Sequence, residues 1–212
     1  MLTRADFQAA STHWLGCIHG DTARATFRIY PPRQTIAIMS EIPEQVVLLS
    51  DTGEHIGVAD KALVHTTDTA LHLAFSCHVY NADGQVLVTR RALSKLTWPG
   101  VWTNSFCGHP APGEDMAAAI IRRAKHELGI TISDVQLVLP DFRYRAVDSS
   151  GIVENEICPV YRAVTADNAA PNADEVAEFE WVDPQSLRSA VSATPFAFSP
   201  WLGWQLEQLN EN

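Results

Sequence analysis

The residue types able to do chemistry gather between Arg90 and Ile130. That stretch holds Arg91 and Lys95, then Trp98-Pro99-Gly100-Val101-Trp102-Thr103-Asn104-Ser105-Phe106-Cys107-Gly108-His109, and it ends Glu127-Leu128-Gly129-Ile130. A thiol and an imidazole set among bulky aromatic rings indicate a dry pocket with reactive groups in it. Downstream, Glu154 and Glu156 stand two apart, so in a strand both carboxylates share a face. Two like charges side by side in a sheet are unfavourable unless a cation lies between them. With His65, His72 and His109 they form a donor set of imidazoles and carboxylates. Such a set suits Mn²⁺ or Mg²⁺, or else Zn²⁺, better than a thiolate cage does. Spacing alone is a weak sign that the three rings converge, since a lone histidine is more often a surface or satisfied core residue.

The totals narrow the partners. At 212 residues the chain suffices for one sizeable core and is short for two. The formal net charge of -10 argues against a nucleic-acid partner, because phosphate-backbone binding needs a basic surface. The few basic residues are locally dense: Arg90, Arg91 and Lys95, then Arg122, Arg123 and Lys125, then Arg143 and Arg145. A small cationic site on an acidic protein fits a small polyanion such as a diphosphate, although any one cluster also reads as solvated surface charge. No apolar run is long enough for a bilayer, so no membrane partner is expected. The four cysteines, Cys17, Cys77, Cys107 and Cys158, show neither a disulfide framework nor a CxxC pair. A reducing cytoplasm is the simplest location, and it leaves Cys107 a free thiol.

These side chains need elements to hold them. Residues 1–43 mix Arg, Pro and short apolar groups without a period. They read as a poorly ordered extension or as residues preceding a natural start at Met39. From there residues 44–212 read as one domain. Val46–Leu49 and His55–Ala59 are strands, followed by Lys61 and a polar loop carrying His65. Leu71–Tyr80 is one longer strand that begins with His72. Asn81-Ala82-Asp83-Gly84 turns it into a strand from Gln85 that delivers Arg90 and Arg91 at its end. A helix spans Asp115–Leu128, ended by Gly129, with Ala117, Ile120 or Ile121, Ala124 and Leu128 as its buried stripe. Arg123 and Glu127, four apart, share a face of it. Strands follow at Val135–Leu139, Phe142–Val147 and Ile152–Val164, the last carrying both glutamates, and at Glu178–Val182. A short helix over Pro184–Val191 and a terminal one capped by Ser199 complete the chain.

Within the helix lies a recognisable register. Gly108, Glu114, Arg122, Glu127, Gly129 and Ile130 match the Nudix box G-x5-E-x7-R-E-U-x-E-E-x-G-U, where U is bulky and apolar. Arg123 and His126 stand where the box asks for Glu, and Ala124 is small at the apolar position. Those acids normally hold the metals of pyrophosphate hydrolysis, so their loss speaks against hydrolysis. The segments His65 through Phe75, Thr89 through Lys95, Trp98 through Pro110, Phe142 through Ala146, Gly151 through Val160 and Phe198 through Trp201 together resemble type I isopentenyl-diphosphate isomerase. The match runs from about Val46 to Trp201, in the family's order and spacing.

That resemblance implies an α/β (α+β) fold: a Nudix-like mixed β-sheet core flanked by helices in a single compact domain. It implies interconversion of isopentenyl and dimethylallyl diphosphate, in isoprenoid biosynthesis, through a carbocation-like intermediate. Cys107 and Glu156 are then the proton-handling pair, with Tyr144 assisting near Glu156. His65, His72, His109, Glu154 and Glu156 bind one divalent ion, Mn²⁺ or Mg²⁺ (Zn²⁺ has also been considered). Glu127 helps hold a Mg²⁺ that bridges to the diphosphate, whose oxygens Lys61, Arg91, Lys95 and Arg123 contact. Trp201 closes over the hydrocarbon end. Phe106 departs from the small or apolar residues familiar before this Cys, which should alter packing rather than chemistry. A monomer or weak homodimer is expected. The competing readings are a Nudix-type diphosphate hydrolase and a non-catalytic diphosphate- or metal-binding module; the first lacks box acids, and the second leaves Cys107, Tyr144 and Glu156 together unexplained.

Overall fold

Two chain crossings between a pair of sheets organise the molecule. The computed structural model describes residues 44–211; the extension expected over residues 1–43 lies outside them. The smaller sheet runs β2 (His55–Asp60), β1 (Gln45–Leu49), β3 (His72–Leu73), β10 (Val153–Ile157), β9 (Arg143–Val147). The larger runs β12 (Val176–Val182), β5 (Val86–Arg91), β4 (Phe75–Tyr80), β11 (Val160–Val164), β8 (Ser133–Leu139), with β6 (Trp102–Thr103) added on β5 and β7 (Phe106–Gly108) on β4. Four α-helices complete the described residues: α1 (Lys61–Val64), α2 (Met116–Leu128), α3 (Pro184–Ala193) and α4 (Pro200–Glu211).

The two long strands expected at Leu71–Tyr80 and Ile152–Val164 are each two strands, and each changes sheet part-way. The first breaks at Ala74, the second at Cys158-Pro159. Proline has no N–H to give a ladder, so a central strand cannot continue through it. The freed groups pair across the crossing instead: Ala74 N–H donates to Ile157 O at 2.9 Å and Ser76 N–H to Pro159 O at 3.1 Å. Alternation continues through Ala74, and Ile157 to Tyr161 is an unbroken apolar run, so periodicity marks neither break. The parallel register below the crossing sets Glu156 beside His72, and the antiparallel one sets it beside Tyr144. Directly paired residues project to the same side of a sheet. Above the crossing, Ser76 is registered with Cys107.

Helix α2 covers one face of the larger sheet through Ala119, Ile120, Ala124 and Leu128, packed with Phe75, Leu87 and Phe106. Helices α3 and α4 cover the other through Leu187, Val191, Leu202 and Leu206, packed with Val86 and Val88. The alternation of β5 thus serves both layers. Asp115 caps α2 by accepting from Ala118 N–H at 3.0 Å, and Gly129 closes it at φ +68°. Ile120, Ala124 and Leu128 of the expected stripe are buried, and the arc differs from it at its edges. Ala117 and Ile121 are exposed, whereas Ala119, Arg123 and Glu127 are buried. A stripe traced by apolar residues alone misses this arc because two of its members are charged. β6, β7 and α1 were not expected either; elements of two to four residues are too short to show a period.

Candidate active site

The pocket opens where the two sheets part, and its deepest wall is the row Tyr144, Glu156, His72. Glu156 is buried, and its two oxygens have different partners. Oε2 accepts from the Tyr144 hydroxyl at 2.8 Å, while Oε1 lies 3.1 Å from His109 Nε2 and 3.4 Å from His72 Nε2. His72 Nδ1–H donates to Ala70 O at 2.9 Å. A neutral His72 therefore turns its bare Nε2 lone pair toward a carboxylate oxygen, and that buried nitrogen makes no hydrogen bond; neither does His109 Nδ1. Two acceptors facing each other need a proton or a cation between them. Ligand atoms of His65, His72, His109 and Glu156 all lie within 4.8 Å of one another. The donor set and its orphaned nitrogen fit a divalent ion. Glu154 stands one step outside these four: its Oε2 is 3.0 Å from His65 Nε2, and its Oε1 accepts from Thr97 Oγ1 at 2.6 Å.

Burial and charge oppose each other in this wall. Burial acts to raise the Glu156 carboxyl, but the His109 and His72 imidazoles outweigh it and hold Glu156 well below the usual carboxylate range. Burial acts to lower His72, yet Glu156 and the Ala70 carbonyl leave it raised; at His109 burial prevails and the ring is lowered. Burial and the adjacent Glu156 charge push the Tyr144 phenol well above its ordinary value, so it remains a donor.

Cys107 projects from β7 into the same pocket. Its Sγ is 3.1 Å from Ser76 Oγ and donates to Asn104 Oδ1 at 3.4 Å. Burial pushes the thiol up to about 12, with hydrogen bonds from Ser76 and to Asn104 offsetting part of the rise, so it holds its proton at neutral pH. Trp201, at the start of α4, is 1 % exposed. Its Nε1–H donates to Thr103 Oγ1 at 3.0 Å and Asn104 Oδ1 at 3.1 Å. Its ring lies 5.6 Å from Tyr144 and edge-on to Trp98 at 5.2 Å. Trp98 itself sits at φ +43°, a conformation a bulky side chain adopts only under constraint. The Arg91 guanidinium lies 5.6 Å from the Trp201 ring centroid.

At the mouth the cations are held by acids. Lys61 pairs with Glu44 at 2.5 Å, and Lys95 pairs with Glu175. Arg123 reaches Glu127 at 2.5 Å, Glu175 at 3.2 Å and Glu44 at 3.8 Å. Arg91 instead donates to Thr97 O at 2.9 and 3.1 Å. Burial raises the Glu127 carboxyl against the opposing Arg123 charge, while Lys95 and Arg123 overcome burial to lower Glu175 to about 2. Arg123 passes over Gly108, where a Cβ would meet its Cγ at 2.9 Å and Phe75 Cζ at 2.8 Å. Only glycine lets the guanidinium lie there.

The pocket brings together Lys61, His65, Arg91, Lys95, Cys107, His109, Arg123, Glu127, Tyr144, Glu154, Glu156 and Trp201, with His72 directly behind. Sequence reasoning missed Thr97, which bonds both Arg91 and Glu154, and Glu175, which clamps Lys95 and Arg123. It also missed Ser76 and Asn104 beside the thiol. Asn104 lies in the segment already singled out; a loop glutamate and a strand serine carry no pattern that would mark them.

Comparison with known proteins identifies the family. Residues 70–202 match the NUDIX domain model. The isopentenyl-diphosphate Delta-isomerase of Clavibacter sepedonicus is 66 % identical over 171 residues, covering 81 % of this chain and 90 % of that protein. The protein of the same name from Leifsonia xyli is 62 % identical over 168 residues, covering 78 % and 91 %. Among solved structures, a Deinococcus radiodurans protein superposes with a TM-score of 0.61 at 19 % identity, over 78 % of this chain and 99 % of its own. A MutT protein from Methanosarcina mazei gives 0.52 at 15 %, over 66 % and 94 %; both speak to the fold alone. The chain belongs to the isopentenyl-diphosphate Delta-isomerase family of NUDIX-domain proteins.

Proposed function

We propose that this enzyme interconverts isopentenyl and dimethylallyl diphosphate by protonating and deprotonating carbon on one bound substrate, with Cys107 and Glu156 as the proton-handling pair. The chemistry is a balanced proton exchange. One proton joins the terminal methylene, positive charge develops at the adjacent tertiary carbon, and a proton leaves the carbon on its other side. The observation that carries the reading is the company kept in one pocket: a proton-bearing thiol, a carboxylate bonded to a phenol, a buried indole, and cations at the mouth. The pair serves both directions, since the group that donates in one accepts in the other. Tyr144 hydrogen-bonds Glu156 and steadies its charge. The Trp201 face, with Trp98 and Tyr144 packed round it, supplies cation–π attraction worth about 2 kcal/mol once water is excluded. The same rings keep out water that would convert the cation to an alcohol.

His65, His72, His109, Glu154 and Glu156 would hold Mn²⁺ or Mg²⁺, with Zn²⁺ as the other candidate, and Glu127 a Mg²⁺ shared with the diphosphate. A cation beside Glu156 adjusts the proton affinity of that carboxylate, and one beside Glu127 neutralises phosphate charge. Lys61, Arg91, Lys95 and Arg123 take the diphosphate oxygens. Arg123 stands at a box position that asks for Glu, which favours holding a diphosphate over cleaving it. We further assign residues 44–212 as the catalytic domain, which contains the whole NUDIX domain match, and residues 1–43 as an N-terminal extension. The acidic net charge and free thiols suit a cytoplasmic monomer or weak homodimer acting on a small molecule, without nucleic acid or membrane. Among the described residues no helix is long and apolar enough to cross a membrane.

The decisive measurement is incubation of the purified protein with isopentenyl diphosphate and Mg²⁺ in D₂O. Dimethylallyl diphosphate carrying deuterium is the expected product. Release of phosphate or pyrophosphate would make the protein a hydrolase, and binding without product or label would make it a binding module.

A further inference from the structure

Behind Cys107 runs a buried polar chain that the reaction as described does not use. Ser76 and Gln205 are fully buried, and His78 is 2 % exposed. Gln205 Nε2–H donates to Ser76 Oγ at 2.8 Å. His78 Nε2 lies 2.9 Å from Gln205 Oε1, an acceptor only, so that nitrogen carries the hydrogen. Burial lowers His78 to about 4, leaving one ring hydrogen to place, and Gln205 takes it. Ser76 Oγ, already accepting from Gln205, has its own hydrogen left for a sulfur: Cys107 Sγ at 3.1 Å or Cys158 Sγ at 3.5 Å. Cys107 is the nearer sulfur, and with the hydrogen on that bond the donors run one way, from His78 through Gln205 and Ser76 to Cys107. On its other side, Cys107 donates to Asn104 Oδ1, the same oxygen that accepts from Trp201 Nε1–H. Gln205 and Trp201 are four apart on α4, hence on one face of that helix. Buried polar side chains in a well-packed core are costly unless fully satisfied, and their yield is a unique geometry.

We infer that Ser76, Gln205 and His78 are positioning residues that fix the Cys107 sulfur relative to the Trp201 indole through a one-way hydrogen-bond chain. Asn104 accepts from the protonated thiol, and the Ser76 hydroxyl donates to the sulfur both before and after the proton leaves, so the sulfur keeps one position through the exchange. The inference rests on the reading of Cys107 as a proton-handling residue. Helix α4 then serves the pocket twice, since it brings Trp201 to the cavity and, one turn on, the amide that orders the thiol.

The test is steady-state kinetics with Mg²⁺, alongside thermal unfolding, for Ser76→Ala, Gln205→Met, His78→Phe and Cys107→Ala. Ser76→Ala should lower kcat on the order of tenfold or more, as expected for loss of one buried hydrogen bond, with KM within about twofold. Gln205→Met and His78→Phe should lower kcat by successively smaller factors, in order of distance from the sulfur. Ser76→Thr, which keeps the hydroxyl, should recover most of the rate. Loss of kcat that follows loss of Tm instead of this order would reduce the chain to core packing and overturn the proposal. So would normal turnover in Ser76→Ala and Gln205→Met beside an inactive Cys107→Ala. An active Cys107→Ala would instead overturn the reading on which the proposal depends.

Discussion

The inner wall and the mouth of the pocket are both charged, yet they are balanced in opposite ways. At the mouth, Lys61, Lys95 and Arg123 each have a carboxylate partner, Glu44, Glu127 or Glu175. At the wall, three imidazoles crowd one carboxylate, and His72 Nε2 is left without a hydrogen bond. Closed ion pairs need nothing further, whereas facing lone pairs are incomplete until a proton or cation arrives. The donor set of the wall thus suits a cation. The mouth is a site where an incoming anion must take cations from acids that already hold them. Removing an acid should therefore do damage at the wall and give relief at the mouth where the acid only holds a cation, as Glu175 does for Lys95 and Arg123.

The largest effect is expected at the wall. Glu156→Gln keeps the shape and the Tyr144 contact but removes the carboxylate, both as proton carrier and as cation ligand. Turnover should fall by about 10³-fold or more, the size of loss expected when a general acid or base is removed. The same protein should lose its response to chelation. In the wild type, stripping divalent ions should lower Tm by several degrees, because an ion that binds only the folded state stabilises it. Persistence of that shift in Glu156→Gln would detach the carboxylate from the metal.

A smaller and differently shaped effect is expected at the mouth. Lys95→Gln removes a cation and frees Glu175 to act on Arg123 alone. KM for the diphosphate should rise by about tenfold, with kcat changed less, since a contact made equally in ground and transition states alters binding rather than rate. An unchanged KM with a collapsed kcat would move Lys95 from binding to chemistry and erase the contrast between the regions.

That contrast was only half legible in the sequence. The wall was, because Glu154 and Glu156 at period two and the histidines carry their chemistry in their types. Even so, it takes the sheet exchange at Ala74 and Pro159 to set His72 beside Glu156, and periodicity marks neither point. The cations of the mouth were equally visible, but their partner Glu175 was not. It lies just before β12, far along the chain from Lys95, and enters only because Ala92 N–H bonds its carbonyl at 3.0 Å and brings the loop against β5. The full width of the buried arc of α2 escaped the pattern for a related reason. Arg123 and Glu127 belong to the buried arc, and apolar periodicity does not count charged residues that a pocket has taken in. Long-range pairings and buried polar side chains are what a one-dimensional pattern omits.

Glu175 offers the finest cut between wall and mouth. Burial acts to raise its carboxyl, but Lys95 and Arg123 overcome this and lower it to about 2, against an ordinary value of 4.5. A depressed carboxylate contributes stability that is fully present above its unfolded value and is lost as pH falls through the folded one. Wild type should therefore exceed Glu175→Gln in resistance to urea at pH 5, with the gap closing between about pH 4.5 and 2. The group is partly exposed, so the gap should be modest and should shrink with salt. Stability and binding should then move in opposite directions. With Glu175 neutral, Lys95 and Arg123 lose a competitor, and inorganic pyrophosphate without metal should bind several-fold more tightly than to wild type, measured by calorimetry. Weaker pyrophosphate binding in Glu175→Gln would mean that the carboxylate holds the cations in a receptive geometry rather than competing for them.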